Sequence, residues 1–246
     1  MQHHFVDVWQ ADLNQGAKCL SNLTVVLNDQ EKQRAGTFLQ PLLRGRYMAV
    51  RAITRHVLAS YLSTQPADLH FTLGEHGKPA LISDSLYFNI SHTEHLLLIA
   101  VGNLPDIGVD IELIKTRSNM DGMARRCFAE RELKIWQPLP EPQRQETFYR
   151  LWAKKEAFVK AIGRGIALGL NRCELEPQKD GQLIAIPEEY GVANDWKVTE
   201  ISFIAGISAA LITPNFEFEL NYKTFDAEAI KFGSKCLHKL NTIQPE

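Results

Sequence analysis

The sequence predicts an α+β fold made of two similar halves. Strand-like alternation and helical periodicity follow one another in the order strand, helices, strands, and this order occurs twice along the chain. The 246 residues are enough for one large domain or two ordinary ones, and 45% apolar with 23% charged residues is typical of a globular protein. We expect an N-terminal half at 1–104, a C-terminal half at 105–225 and a tail at 226–246.

The first half begins with a strand, because FVDVWQADL (5–13) alternates polar and apolar residues. Residues 28–62 have helical periodicity that only Gly36 and Pro41 interrupt, and on that helix Arg44, Arg51 and Arg55 share one face. Short strands are predicted at LHFTL, LYFNI and HLLLIAV, separated by the turn-rich segments GEHGKPA and SDS.

The second half repeats this order. GVDIEL, which begins at Gly108, is a predicted strand, and 118–161 are mostly helical with a break at QPLPEPQ, where three prolines occur. Strands are predicted again within 196–220. KFGSKCLHKLNTIQPE, at the end, is a predicted tail or surface helix, to which we assign no function.

Composition excludes several classes of protein. A net charge of -2 argues against nucleic-acid binding, which usually needs a basic excess. No apolar run is long enough to span a membrane and the first residues do not resemble a signal peptide, so we expect a cytoplasmic protein. Cys19, Cys127, Cys173 and Cys236 are widely spaced, which predicts reduced thiols.

The GVDIEL strand carries two carboxylates on one face. Side chains alternate along an extended chain, so Asp110 and Glu112 point the same way as Gly108, about 6–7 Å apart at the backbone. Val109 and Ile111 point the other way. Like charges at this separation repel unless a cation lies between them, so the strand predicts a cation.

Two other stretches carry titratable side chains. In LWAKKEAFVKAIGRG, Glu156 is surrounded by cations, and a solvated helix with a Glu156–Lys160 pair is the simplest interpretation. FNISHTEH places Ser91 and His92 at the end of a strand, and GEHGKPAL places Lys78 on a turn.

Taken together, GEHGKPAL, FNISHTEH, GVDIEL, FAERE and W-x-x-KEAFVKAIGRG closely resemble the motifs of the 4′-phosphopantetheinyl transferases, in their longer, internally duplicated Sfp-type branch. The match runs from about residue 40 to residue 170. The resemblance implies two α+β halves related by a pseudo-twofold axis, with the active site in the cleft between them. It also implies transfer of phosphopantetheine from coenzyme A to a serine of an apo acyl or peptidyl carrier protein, with release of 3′,5′-ADP.

The resemblance also implies roles for individual residues. Mg²⁺, which prefers oxygen ligands, would be held by Asp110, Glu112 and Glu156. Glu156 is the favoured general base and His92 the other candidate, with Lys155 as a third catalytic residue. Glu132 matches the glutamate of F-x-x-x-E, where a site role and a structural ion pair remain equally open. The implied contacts to coenzyme A are Arg51, Lys78, Ser91, His92, Lys155 and Lys160.

Two alternatives remain open at this point: a protein that binds coenzyme A or a carrier protein without turnover, and a Mg²⁺-dependent pyrophosphate hydrolase. We expect a monomer, because both halves of one chain would supply the site. For the carrier protein we expect a docking surface in MARRCFAERELKIW, where Arg125, Arg126 and Arg131 stand beside Met123 and Phe128.

Overall fold

A computed structural model of the chain describes residues 3–14, 20–82, 85–178, 180–202 and 205–230, and the fold is α+β. The helices of these residues are α1 (Leu20–Leu23), α2 (Asp29–Gly36), α3 (Pro41–Leu62), α4 (Met120–Cys127), α5 (Glu130–Trp136) and α6 (Gln143–Ala161). The strands are β1 (Phe5–Asp12), β2 (Phe71–Leu73), β3 (Pro79–Leu81), β4 (Tyr87–Thr93), β5 (Leu96–Gly102), β6 (Gly108–Leu113), β7 (Glu174–Leu175), β8 (Leu183–Ala185), β9 (Trp196–Ile201), β10 (Ile207–Pro214) and β11 (Glu219–Thr224).

Two main sheets organise the molecule. The first has the order β11-β1-β5-β4 and the second the order β6-β10-β9. Neighbouring strands are antiparallel except β1 and β11, which run parallel from the pair Phe5 and Glu219 onward. After β10 of the second sheet, the chain therefore returns to the first sheet and adds β11 at its edge. The first sheet thus contains a strand from beyond the proposed boundary at residue 104.

Apolar side chains form three clusters around these sheets. One cluster packs α3 on the first sheet, and a second packs α4, α5 and α6 with the second sheet. The third lies between strands of both sheets and contains Val8, Leu98, Val109, Ile111 and Leu211. The predicted apolar face of β6 is thus confirmed as buried, because Val109 and Ile111 belong to the shared core.

The two sheets meet along β4 and β6 through side chains. The Asn89 side-chain oxygen accepts a hydrogen bond from the Val109 amide at 2.9 Å, and Ser91 Oγ accepts one from the Ile111 amide at 3.4 Å. These bonds replace a backbone ladder at the junction. As a result, Ser91 near the end of β4 lies next to Asp110.

The sequence predicted most elements and missed some. The interruptions at Gly36 and Pro41 separate α2 from α3, as expected. β3 lies where a turn was predicted, and β7 and β8 were missed because two or three residues are too few to show alternation. Cys127 and Cys173 are free thiols; Cys19, Cys236 and residues 231–246 lie outside the described residues.

None of the described helices combines the length and the apolar character needed to cross a bilayer.

Candidate active site

A glycine allows α6 to approach β6. A Cβ built on Gly108 would lie 2.0 Å from the Ala157 carbonyl oxygen and 2.5 Å from the Ala161 nitrogen. Gly108 shares its strand face with Asp110 and Glu112, so this close approach brings the helix over the two carboxylates. The helical spacing then places Trp152, Glu156 and Lys160, four residues apart, along the same stripe of α6.

Trp152 and Arg117 hold Glu112. The indole N–H of Trp152 donates to Glu112 Oε1 at 3.1 Å, and an Arg117 guanidinium nitrogen lies 3.7 Å from Glu112 Oε2. Arg117 also donates to the Tyr149 hydroxyl at 2.9 Å. Burial, followed by the nearby charge of Asp110, raises the pKa of Glu112 above its ordinary value.

Lys160 joins the two sheets at Asp110. Its ammonium lies 2.6 Å from Asp110 Oδ1 and donates to Ser91 Oγ at 2.7 Å. Ser91 in turn donates to Asp110 Oδ1 at 2.8 Å. The Lys160 ammonium therefore compensates the charge of Asp110, one of the two carboxylates of β6, and the metal ion stays a prediction.

Glu156 completes what we call the acidic cluster, which consists of Asp110, Glu112 and Glu156. Burial and the charge of Asp110 raise its pKa to about 7, while Lys160 lowers it and Glu112 raises it further. Glu156 Oε1 and Asp110 Oδ2 are both buried, and neither has a hydrogen-bond partner among the described residues. Buried polar atoms are normally bonded, so each of these oxygens marks a place for a missing partner.

His92 borders this cluster on the solvent side. Its side chain is exposed, unlike that of Ser91. Partial desolvation of the ring, together with the positive charges of Lys160 and Arg46, lowers the pKa of His92. Arg46 of α3 therefore lies within electrostatic reach of His92.

The residue types fit a hard cation, although no ready cage exists. Among the described residues, no group of three or more His, Cys, Asp or Glu side chains converges as a metal site. Three carboxylates nevertheless share electrostatic contact, and two of their oxygens lack partners. Carboxylate oxygens are the ligands that Mg²⁺ prefers, so the donor set fits this ion.

Arg51 and Lys78 lie outside the cluster. The Arg51 guanidinium is bound by Glu31 at 2.8 Å and stacks on the Phe71 ring at 4.9 Å. Lys78 donates to the carbonyl oxygens of Ile107 at 3.0 Å and Ala161 at 2.7 Å, and burial lowers its pKa to about 8. Lys78 thus joins the β2–β3 hairpin to the start of β6 and the end of α6.

Arg55, which shares the arginine face of α3 with Arg51, lies inside the molecule. Arg55 is fully buried, bound by Glu31 at 2.8 Å and by the Pro66 and Leu69 carbonyls. It therefore has no free donor direction toward solvent and supports the fold of the first half.

Lys155 requires a correction. We expected it to contact a phosphate, but its side chain is fully buried and lies 2.8 Å from Glu132 Oε2. It also donates to the carbonyl oxygens of Leu170 and Cys173. Successive side chains on a helix differ in direction by roughly 100°, so Lys155, which precedes Glu156, points into the core of the second half. Of the two readings of Glu132, the structure supports the ion pair.

The expected docking segment also needs a correction. Phe128 is 2% exposed and packs in the core, so it cannot offer an apolar contact. Arg125, Arg126 and Arg131 are exposed, and Arg131 lies 3.8 Å from Glu174. The sequence did not indicate a role for Arg117, because this residue follows β6 in a loop, where no helical or strand periodicity marks a position.

The chain was compared with known proteins. Residues 106–212 match the family model of the 4′-phosphopantetheinyl transferase superfamily. The 4′-phosphopantetheinyl transferase HetI of Nostoc sp. is 37% identical over 66% of this chain and 70% of that protein. The 4′-phosphopantetheinyl transferase Sfp of Bacillus subtilis is 28% identical over 67% of this chain and 78% of that protein. The 4′-phosphopantetheinyl transferase AcpT of Escherichia coli is 31% identical over 54% of this chain and 71% of that protein.

The matched segment contains β6 and α6, which together supply every carboxylate of the acidic cluster. The chain belongs to the 4′-phosphopantetheinyl transferases and is of the Sfp type. This confirms the family and the transferase activity that the sequence motifs predicted.

Proposed function

We propose that this chain transfers the 4′-phosphopantetheine group of coenzyme A to a serine of an apo acyl or peptidyl carrier protein, in a Mg²⁺-dependent reaction that releases 3′,5′-ADP. The observation that carries the proposal is the pair of buried, unpartnered oxygens, Asp110 Oδ2 and Glu156 Oε1, beside Glu112. A protein that only bound coenzyme A would have no use for two uncompensated buried oxygens at this point.

Asp110, Glu112 and Glu156 would hold the magnesium ion. When bound, it supplies positive charge against the pyrophosphate of coenzyme A. Trp152 and Arg117 keep Glu112 in position for this role, and Ser91 does the same for Asp110. Such supporting bonds fix the orientation of ligands around an ion.

The remaining groups bind phosphate and move a proton. The ammonium of Lys160 and the ring of His92 would donate to phosphate oxygens. Ser91 stays a prediction as a phosphate contact, because its single hydroxyl proton is donated to Asp110. The acceptor serine oxygen forms a bond to the β-phosphorus while the bond from that phosphorus to the bridging oxygen breaks. Glu156 accepts the serine proton, and 3′,5′-ADP leaves with the electron pair of the broken bond.

Arg51 and Lys78 stay predictions as contacts of coenzyme A. Both lie outside the acidic cluster, so any such contact would involve a more distant part of the ligand. Lys155 is no longer part of the proposal, because a fully buried ammonium cannot reach a bound ligand.

The division of the chain belongs to the same proposal. Residues 1–104 and 105–225 would form halves related by a pseudo-twofold axis, with the active site in the cleft between them. Ser91 and His92 come from the first half and the three carboxylates from the second, which supports a site at their junction and one complete site in a monomer. A cytoplasmic location stays a prediction.

The experiment incubates the protein with coenzyme A, Mg²⁺ and a purified apo acyl carrier protein, and follows the carrier by intact mass spectrometry. Conversion to the phosphopantetheinylated form, lost on addition of a chelator, supports the proposal. Release of 3′,5′-ADP without carrier would support a hydrolase instead, and no product at all would support a binding protein.

A matched pair of variants tests the role of Glu156. Glu156→Gln keeps the shape of the side chain but removes its basicity, so turnover should fall about a hundredfold or more while coenzyme A still binds. Glu130→Gln is the control, because the Glu130 side chain is 82% exposed on α5. Near-normal turnover of Glu156→Gln would remove Glu156 as the base.

A further inference from the structure

The connection between α2 and α3 carries an exposed apolar surface, which we call the leucine knuckle: Leu39, Leu42 and Leu43. Leu39 is 95% exposed, Leu42 68% and Leu43 40%. A single exposed leucine is ordinary on a protein surface, but three exposed leucines within five residues are typical of a surface that binds a partner.

The leucine knuckle is held in a fixed shape. The Phe38 amide donates to the Ala35 carbonyl at 3.2 Å, and the Arg44 amide donates to the Gln40 carbonyl at 3.1 Å. The Arg44 side chain donates back to the Phe38 carbonyl at 3.0 Å. A surface that is already ordered loses little conformational entropy when a partner covers it, which favours binding.

Positive charge flanks the leucine knuckle in the sequence. Between Glu31 and Asp68 the sequence contains six lysines and arginines and no aspartate or glutamate. Arg51 and Arg55 are bound by Glu31. Among the described residues, no ion pair joins the cations closest in sequence to the knuckle to a carboxylate; these cations are Arg34, Arg44 and Arg46. Such a surface is complementary to an acidic partner.

The leucine knuckle is linked to the site through Arg46 and His92. Arg46 follows Leu42 by one helical turn on α3 and lies within electrostatic reach of His92, the residue next to Ser91 of the Ser91–Lys160 pair. A partner that covers the knuckle would therefore approach the site from the side of His92. Because Leu39 protrudes with nearly all of its side chain in solvent, a protein can cover it but a small molecule cannot be enclosed there.

We infer that the leucine knuckle docks the acceptor carrier protein, through an apolar patch with acidic side chains around it that lies next to the acceptor serine. This inference rests on the proposed function, which supplies the protein substrate. The leucines supply the apolar contact, and Arg44 and Arg46 steer the acidic surface toward it. The serine is then presented to the cluster from the side of His92.

The test compares Leu39→Asp/Leu42→Asp with the wild type on a purified apo acyl carrier protein. The double variant should raise the KM for the carrier at least about tenfold, a difference of about 1.4 kcal/mol, because it places negative charge in the docking surface. The KM for coenzyme A and the thermal unfolding midpoint should not change. Val192→Asp is the control, since Val192 is 62% exposed outside the knuckle.

Binding of the apo carrier is measured in parallel by calorimetry, without coenzyme A. Weaker binding by the double variant alone supports the docking surface even if turnover is absent, and absent turnover in the wild type counts against the proposed function only. An unchanged carrier KM with unchanged binding overturns the inference. An equal rise in the KM for coenzyme A also overturns it, because the surface would then hold the nucleotide.

Discussion

Replacing Gly108 by alanine tests whether the close approach of α6 to β6 builds the active site. The added Cβ would lie 2.0 Å from the Ala157 carbonyl oxygen, whereas Cβ atoms essentially never come closer than 3.0 Å to such an atom, so α6 or β6 must shift by about 1 Å. The Ala157 oxygen and the Ala161 nitrogen, which the added Cβ would contact, both belong to the backbone of α6, so no side-chain rotation relieves the conflict. A shift of this size at a catalytic group costs about a hundredfold in rate.

The same displacement loosens a packed core. Extra volume in a close-packed interior usually costs about 1–3 kcal/mol of unfolding free energy, and we expect Gly108→Ala to fall in that range. Rate is measured by mass spectrometry of the carrier product under conditions where the variant is folded, and stability by urea denaturation followed by circular dichroism. The rate loss should persist in the folded fraction, since it comes from the position of Glu156.

Gly36→Ala is the matched control. Gly36 is the last residue of α2, and a Cβ built there meets nothing within 4 Å. Alanine is favoured over glycine by about 0.5–1 kcal/mol in the middle of a helix, so at this terminal position the variant should be at least as stable as the wild type and equally active. A Gly108→Ala protein with wild-type rate and wild-type stability would refute the argument that the helix needs a glycine on the strand.

Two further predictions concern buried titratable groups. Burial lowers the pKa of His56 to about 4, and its ring nitrogens have no hydrogen-bond partner among the described residues. The unfolded chain takes up the proton at a higher pH than the folded protein. The contribution of His56 to the free energy of unfolding is therefore fully present above the ordinary pKa of 6.5 and falls by about 2 kcal/mol between pH 7.5 and pH 5. In urea denaturation, His56→Leu should show a flatter dependence of the unfolding free energy on pH than the wild type, and an equal dependence in both proteins would contradict this. Lys155→Met should lower the thermal midpoint, because Glu132 loses its buried partner. The KM for coenzyme A should stay constant in the folded variant, and a raised KM at wild-type stability would return Lys155 to the phosphate contacts.

The acidic pair could be predicted from sequence because its signal is local. Alternation along β6 placed Asp110 and Glu112 on one face, and the shared core of Val109 and Ile111 confirms the orientation. The helix α6 and its Glu156 were predicted by periodicity and motif. What periodicity could not show is that Gly108 has to be a glycine, since the reason lies in the backbone of a helix some fifty residues later.

The errors share a physical cause. The resemblance implies a coenzyme A contact for Lys155, and helical spacing places Arg55 on the arginine face of α3, whereas charged residues seldom lie fully inside a protein. Both are buried, and each is compensated by a glutamate distant in sequence, Glu132 for one and Glu31 for the other. Helical spacing shows which residues share a face, but it does not show whether a partner on another element makes that face part of the core.

The cluster is short of positive charge, and this bears on the identity of its missing partner. Among the described residues, the three carboxylates share the site with the Lys160 ammonium and the Arg117 guanidinium, and burial and mutual repulsion raise the pKa of both Glu112 and Glu156. These monovalent cations leave Asp110 Oδ2 and Glu156 Oε1 without hydrogen-bond partners among the same residues. A pyrophosphate arriving alone would add negative charge to negative charge. Under the proposed function, a doubly charged ion with oxygen ligands would supply both the missing positive charge and partners for the two oxygens.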